Sequence, residues 1–221
     1  MNTLYKILLI ITIIFVSLFG IAFCIFGFIL YKKYSYLWKV ICKMENDKYL
    51  WPINKKISQG IVSHIDTKGN TLLIGVGSCS VLDYLVKKIN KDVRIDVMDS
   101  NKYLLELAEE KYGERCGYIN EEFMFAKLEK CYDNIISTIP FKELPLNDIE
   151  RIFEKYFNAG NKNILYFESK MPHVKNSYVK MIIDNKNKSI SDSKHKWELI
   201  EKKNYHNIPP VNLCILRKIK N

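Results

Sequence analysis

Between Ile7 and Tyr31 the chain carries no charged side chain, and an apolar run of that length leaves few places for the segment to go. A helix rising about 1.5 Å per residue over this stretch clears a hydrocarbon core of about 30 Å. A cleaved signal peptide has a shorter apolar core followed by a small-x-small site, and no such site precedes Lys32 and Lys33. The run therefore reads as a retained transmembrane anchor over residues 1–33. Its flanks give the orientation. Lys6 and the terminal amine stand on one side, while Lys32, Lys33, Lys39 and Lys43 crowd the other, with no acid before Glu45. The positive-inside rule predicts a single-pass membrane protein whose C-terminal domain is cytoplasmic.

Residues 34–48 form a juxtamembrane segment. A helix from Lys32 to Met44 gathers Lys32, Lys39 and Lys43 in one sector and Tyr34, Leu37, Trp38, Ile41 and Met44 on the opposite face. That pattern suits an amphipathic helix lying among lipid headgroups, and a linker helix packed on the domain is the alternative. Residues 49–221 then suffice for one α/β domain with its own core. The formal net charge is +10, to which residues 1–31 contribute only Lys6. Lysine far outnumbers arginine, whose planar fork is favoured for reading bases and phosphates. The charge therefore reads as a solvated basic surface suited to an anionic leaflet, and nucleic acid is not an expected partner.

The 6 cysteines include no CxxC pair and no zinc-finger spacing, so neither a metal site nor a redox motif is expected. In a reducing compartment they are expected to be free thiols. The polar stretch at 185–196 reads as a loop.

Within the domain, short apolar runs alternate with amphipathic stretches. TLLIGVG, VRIDVMD, YDNIISTIP and NKNILYFES read as strands, with a weaker one between Gly117 and Phe125. Ser80–Ile89, Asn101–Tyr112, Leu146–Phe157 and His173–Ile183 read as helices, and WELIEKKN and VNLCILRKI as two final strands joined through NIPP. Strand, helix, strand with short links predicts a mostly parallel sheet with right-handed crossovers and an antiparallel C-terminal hairpin. In such sheets the ligand sits beyond the carboxyl ends of the strands, where the strand order reverses.

Three loops fall at that edge. In GVGSCS, Gly75 and Gly77 let the backbone turn tightly and come close to a ligand. Asp99, at the tip of the second strand, can accept hydrogen bonds from both ribose hydroxyls of an adenosine, and the same MDSN stretch can cap the next helix. In ISTIPF, a proline stiffens the loop and Phe141 offers a ring face to a cation or a methyl sulfonium. The glycines and the acid fit NAD as well as S-adenosylmethionine; the ISTIPF loop favours the latter.

TLLIGVGSCSV, YDNIISTIPFKELP and HNIPPVNLCILRK, in this order, together resemble the bacterial phospholipid N-methyltransferases, a branch of the class I S-adenosylmethionine-dependent methyltransferases. WPINKKISQGIV also stands where that family has a proline-bearing helix, so the resemblance covers about residues 37–219. It implies a Rossmann-like class I methyltransferase fold with S-adenosylmethionine as cofactor. It also implies transfer of the methyl group to the amine of phosphatidylethanolamine or a related membrane phospholipid.

Carried onto this chain, the resemblance implies that Gly75 and Gly77 line the methionine side of the cofactor and that Asp99, with Ser100 beside it, holds the ribose. Ser137, Thr138, Pro140 and Phe141 would border the transferring methyl, with Asn207, Pro209 and Pro210 closing the substrate side. His206 is the candidate base for the ammonium proton. Two positions of the cofactor segment depart from the pattern, Leu73 standing where the family has an acid and Cys79 where it has a third glycine; the family's acid after the third strand also has no clear counterpart, Asn120 and Glu121 being nearest. They keep open a catalytically silent methyltransferase-like module. A membrane protein or small amine as acceptor is the other alternative.

Overall fold

The computed structural model describes residues 16–17, 19–30, 32–33, 36, 51–77, 79–128, 130–138, 144–169, 173–189, 195–205 and 211–220. The chain divides into two compact units, Met1–Ile41 and Cys42–Asn221. In the first, residues 19–30 are helical, and large apolar side chains are exposed, Phe19 at 70% and Phe23 at 72%. Among the described residues no helix is long and apolar enough to cross a membrane. Residues 7–15, 18 and 31 of the expected span lie outside the described residues. So does most of the expected juxtamembrane helix, of which only Lys32, Lys33 and Tyr36 are described, all helical.

The second unit begins with α1 (Trp51–Val62) and continues with β1 (Thr71–Ile74), α2 (Ser80–Lys88), β2 (Ile95–Met98), α3 (Lys102–Tyr112) and β3 (Cys116–Ile119). Then follow β4 (Tyr132–Ser137), α4 (Leu146–Ala159), β5 (Gly160–Ser169), α5 (His173–Ser189), β6 (His195–Tyr205) and β7 (Val211–Lys220). The strands form one 7-stranded sheet in the order β3-β2-β1-β4-β5-β7-β6. β1 lies between β2 and β4 in parallel register, so that Leu73 stands opposite both Val97 and Ile136. Every residue of β1 and of β2 is buried. Helices cover both faces of a parallel sheet, which is why these strands read as continuous apolar runs rather than as alternations. β7 inserts antiparallel between β5 and β6. The strand order reverses between β1 and β4, so the carboxyl ends of these two strands flank the switch point.

Two apolar layers hold the sheet. On one side Ile152, Phe153 and Tyr156 of α4 and Val179 and Ile183 of α5 pack over Ile135, Ile164 and Leu216. On the other, Ile61 of α1, Leu82 and Leu85 of α2 and Leu104 of α3 pack over Leu73, Val97 and Ile215. At the amino ends of the strands the buried Asn134 accepts the Asp66 N–H at 2.9 Å and donates to the Asp66 carbonyl at 2.8 Å and to Thr71 Oγ1 at 3.0 Å. This satisfies polar groups that burial would otherwise leave unpaired.

The structure differs from the sequence expectation in two elements. β3 stops at Ile119, and the chain then turns, so that Phe123 folds into the core. α5 runs to Ser189, which makes 185–189 helical rather than part of a loop. The polar end of α5 has a partner that periodicity does not reveal. The Asn187 amide accepts the Trp197 N–H at 2.8 Å and donates to the Trp197 carbonyl at 2.7 Å, pairing with the edge strand β6.

Candidate functional site

Gly75 leaves β1 with φ +84° and Gly77 follows with φ +52°, left-handed conformations that favour glycine. The Gly75 N–H donates to the Met98 carbonyl at 2.8 Å, which ties the loop to the end of β2. A Cβ at Gly75 would collide with the Thr138 hydroxyl. Thr138 itself is engaged with β1. Its N–H donates to the Ile74 carbonyl at 2.9 Å, and its hydroxyl proton is shared between the carbonyls of Gly75 at 3.0 Å and Ile74 at 3.2 Å.

Asp99 receives two backbone N–H groups: Val76 donates to Oδ2 at 2.9 Å and Asn101 to Oδ1 at 2.8 Å. Burial pushes the Asp99 carboxyl above the ordinary aspartate value, against the opposing pull of those two N–H groups. Each oxygen keeps a further lone pair, so the carboxylate can brace the glycine loop and still accept a ligand hydroxyl. Helix capping falls to Asn101, whose Oδ1 accepts the Tyr103 N–H at 3.1 Å. Asn120, just past β3, donates to the carbonyls of Asp99 at 3.0 Å and Ser100 at 3.2 Å and so fixes their backbone.

These groups border a cavity of about 210 Å³ lined by Gly75, Asp99, Ser100, Glu121, Phe123 and Ile152 among others. That volume falls below the roughly 300–1,000 Å³ of whole ligand sites and suits the nucleoside part of a larger ligand. Asp99 stands on one wall and Glu121 and Glu122 on the turn after β3, and the rest of the lining is largely apolar and aromatic. A larger cavity of about 460 Å³ lies between α5 and β6, lined by Val179, Ile183 and Trp197 with Lys180, Lys196 and Glu198, and touches neither the glycine loop nor Asp99.

Gly75, Gly77, Asp99, Ser100, Ser137 and Thr138 thus lie at the carboxyl ends of β1, β2 and β4. Ser137 is fully buried there, in register with Ile74 on one side and Tyr166 on the other. Pro140 and Phe141, and His206, Asn207, Pro209 and Pro210, lie outside the described residues. The strands flanking the last four meet where Tyr205 pairs with Val211, beside Ser169 at the carboxyl end of β5. Sequence reasoning missed Phe123, Met124, Leu144 and Ile152 of the cavity wall. The first two stand in a stretch without periodicity, and Ile152 reads as an ordinary core position of α4.

The two departures have local explanations. Leu73 is fully buried among Ile61, Leu82 and Val97, so an acid there would lie in apolar surroundings. Cys79 is buried and adopts φ 62°, the left-handed conformation for which glycine is the natural residue. The loop keeps its shape without the third glycine, at a strain of about 1–2 kcal/mol. Among the described residues no group of histidine, cysteine and acidic side chains could hold a metal ion.

The fold is the one shared by class I S-adenosylmethionine-dependent methyltransferases. The chain is similar to an S-adenosylmethionine-dependent methyltransferase from Leishmania major at 14% identity and a TM-score of 0.59, over 84% of this chain and 82% of that one. It is similar to the N-methyltransferase NodS from Bradyrhizobium japonicum, solved with S-adenosyl-L-homocysteine, at 9% identity and a TM-score of 0.59, over 80% and 91% of the two chains. Magnesium protoporphyrin IX methyltransferase from Synechocystis, solved with bound S-adenosylmethionine, aligns at 11% identity and a TM-score of 0.58, over 74% and 77%. No protein-family model matches the chain, and no curated protein sequence matches it.

Proposed function

We propose that this chain is a membrane-anchored S-adenosylmethionine-dependent methyltransferase whose acceptor is the amine of phosphatidylethanolamine or a related phospholipid. The observation that carries the cofactor is the meeting of Gly75 and Asp99 at the switch point: a loop on which a Cβ has no room, braced by a half-buried carboxylate beside a cavity of nucleoside size. The solved neighbours that hold S-adenosylmethionine or its demethylated product support the same cofactor.

The cofactor supplies a methyl group made electrophilic by its sulfonium. The protein then has to align a neutral amine and exclude water. Asp99 holds the ribose hydroxyls, and Gly75 and Gly77 leave the backbone open to the methionine side. Thr138, bonded to the carbonyls at the end of β1, couples the end of β4 to the glycine loop, and Pro140 and Phe141 border the transferring methyl. Asn207, Pro209 and Pro210 close the acceptor side, and His206 takes the ammonium proton before the amine attacks.

One observation supports a bilayer acceptor. The helical residues 19–30 expose aromatic and branched side chains that water does not favour.

The test is methyl transfer by the full-length protein in liposomes containing phosphatidylethanolamine, with methyl-labelled S-adenosylmethionine and separate counting of lipid and protein. Label in the lipid is the expected result. Label in protein alone moves the acceptor to a membrane protein. No label and no cofactor binding identify the domain as a silent module.

A further inference from the structure

Lys155 stands on α4 and is half-buried; among the described residues no acidic side chain forms an ion pair with it, and Glu121 acts on it only by its charge at a distance. Its ammonium instead donates to two backbone carbonyls of the turn after β3, Phe123 at 2.8 Å and Ala126 at 2.7 Å, and lies 5.5 Å from the centroid of the Phe123 ring. The turn also closes on itself, since the N–H groups of Phe125 and Ala126 both donate to the Glu122 carbonyl, at 2.9 and 3.0 Å. Phe123, 4% exposed, lies against Tyr156 with ring centroids 5.3 Å apart. Glu121, Glu122, Phe123 and Met124 of this turn line the cavity beside Asp99.

We propose that Lys155 is a positioning residue for the cofactor: by donating to the Phe123 and Ala126 carbonyls it holds the turn after β3 as the wall against which the adenine rests. The inference rests on the cofactor assigned above and adds a residue that touches no cofactor atom. An uncharged side chain of the same reach can fill the space of the lysine stem. It cannot donate to both carbonyls, and two buried acceptors are then left unpaired. The apolar face of α4, built from Ile149, Ile152, Phe153 and Tyr156, does not depend on Lys155. Loss of the ammonium therefore acts on the turn before it acts on the fold.

The experiment uses the full-length protein in detergent micelles, with S-adenosylhomocysteine and adenosine as calorimetric probes and amide exchange across residues 121–126 as a second readout. Lys155→Met should weaken both ligands by the same factor, about tenfold, as expected for a lost hydrogen bond to a charged group. Exchange across the turn should accelerate. Lys155→Arg, which still presents donors to both carbonyls, should restore affinity to within about threefold. A Lys155→Met protein that binds both ligands like the wild type overturns the proposal and leaves the cofactor assignment standing. So does weakened binding that Lys155→Arg does not restore and that comes with unchanged exchange across the turn. A wild-type protein that binds neither ligand overturns the cofactor assignment, and the positioning role with it.

Discussion

The Thr138 hydroxyl occupies the space that a Cβ on Gly75 would need. Two independent constraints therefore fix glycine at this position, the collision and the backbone at φ +84°. Gly75→Ala is expected to weaken S-adenosylhomocysteine binding by more than about tenfold. In the double variant Gly75→Ala, Thr138→Ala the collision is gone and the left-handed backbone remains. Affinity should recover only in part, short of the wild type by about 1–2 kcal/mol. Full recovery in calorimetric titrations would show that the backbone conformation imposes nothing.

Partial burial raises the pKa of the Asp99 carboxyl above the ordinary aspartate value. The folded protein then binds the Asp99 proton more tightly than the unfolded chain does. The contribution of this group to stability falls as pH rises from the ordinary aspartate value through the raised one. Affinity for the cofactor should move the opposite way, because only the carboxylate accepts both ribose hydroxyls. Titrations of S-adenosylhomocysteine across about pH 4–7 should show binding tighten with pH in the wild type and stay weak and flat in Asp99→Asn. A flat wild-type profile would remove Asp99 from ribose binding.

Cys79 begins α2 with a left-handed backbone and a fully buried side chain. Cys79→Ala keeps the strain and loses the sulfur. Cys79→Gly loses slightly more packing and removes the strain, and glycine also tolerates the position before a helix better than alanine does. Thermal unfolding should place Cys79→Gly above Cys79→Ala by about 1 kcal/mol, the reverse of the usual order within a helix. Alanine ranking above glycine would mean that the loop relaxes around the substitution.

Among the described residues the buried Tyr156 hydroxyl has no well-formed hydrogen bond, and Ser137 is the side chain near enough to offer one. Burying such a group costs about 1–3 kcal/mol. Tyr156→Phe, which keeps the ring against Phe123 and Phe153, should leave the melting temperature unchanged or raise it. A marked drop would show that the hydroxyl has a bond to Ser137 that holds the end of β4.

What the sequence disclosed, and what it concealed, follows from the range of the interactions involved. β1 and β2 are buried on both faces, so their runs of Leu, Ile and Val announce a parallel sheet, and the glycines after β1 mark the turn that a ligand requires. The acid at Asp99 is visible for the same reason, since it ends one of those runs. Its bond to Val76 is not, because that contact joins segments separated in sequence and depends on register. The turn at 122–126 shows no period, and its place is set by Lys155 on a distant helix, so neither partner stands out alone. Asn187 hides in the same way: its bonds to Trp197 extend α5 through residues whose composition reads as a loop.

β7 is the strand nearest the carboxyl end of the sequence, yet it is inserted between β5 and β6 rather than added at the margin. During translation, β5 and β6 leave the ribosome before the strand that must separate them exists. Pairing them directly would shut β7 out. The sheet can be completed only after Val211–Lys220 has emerged.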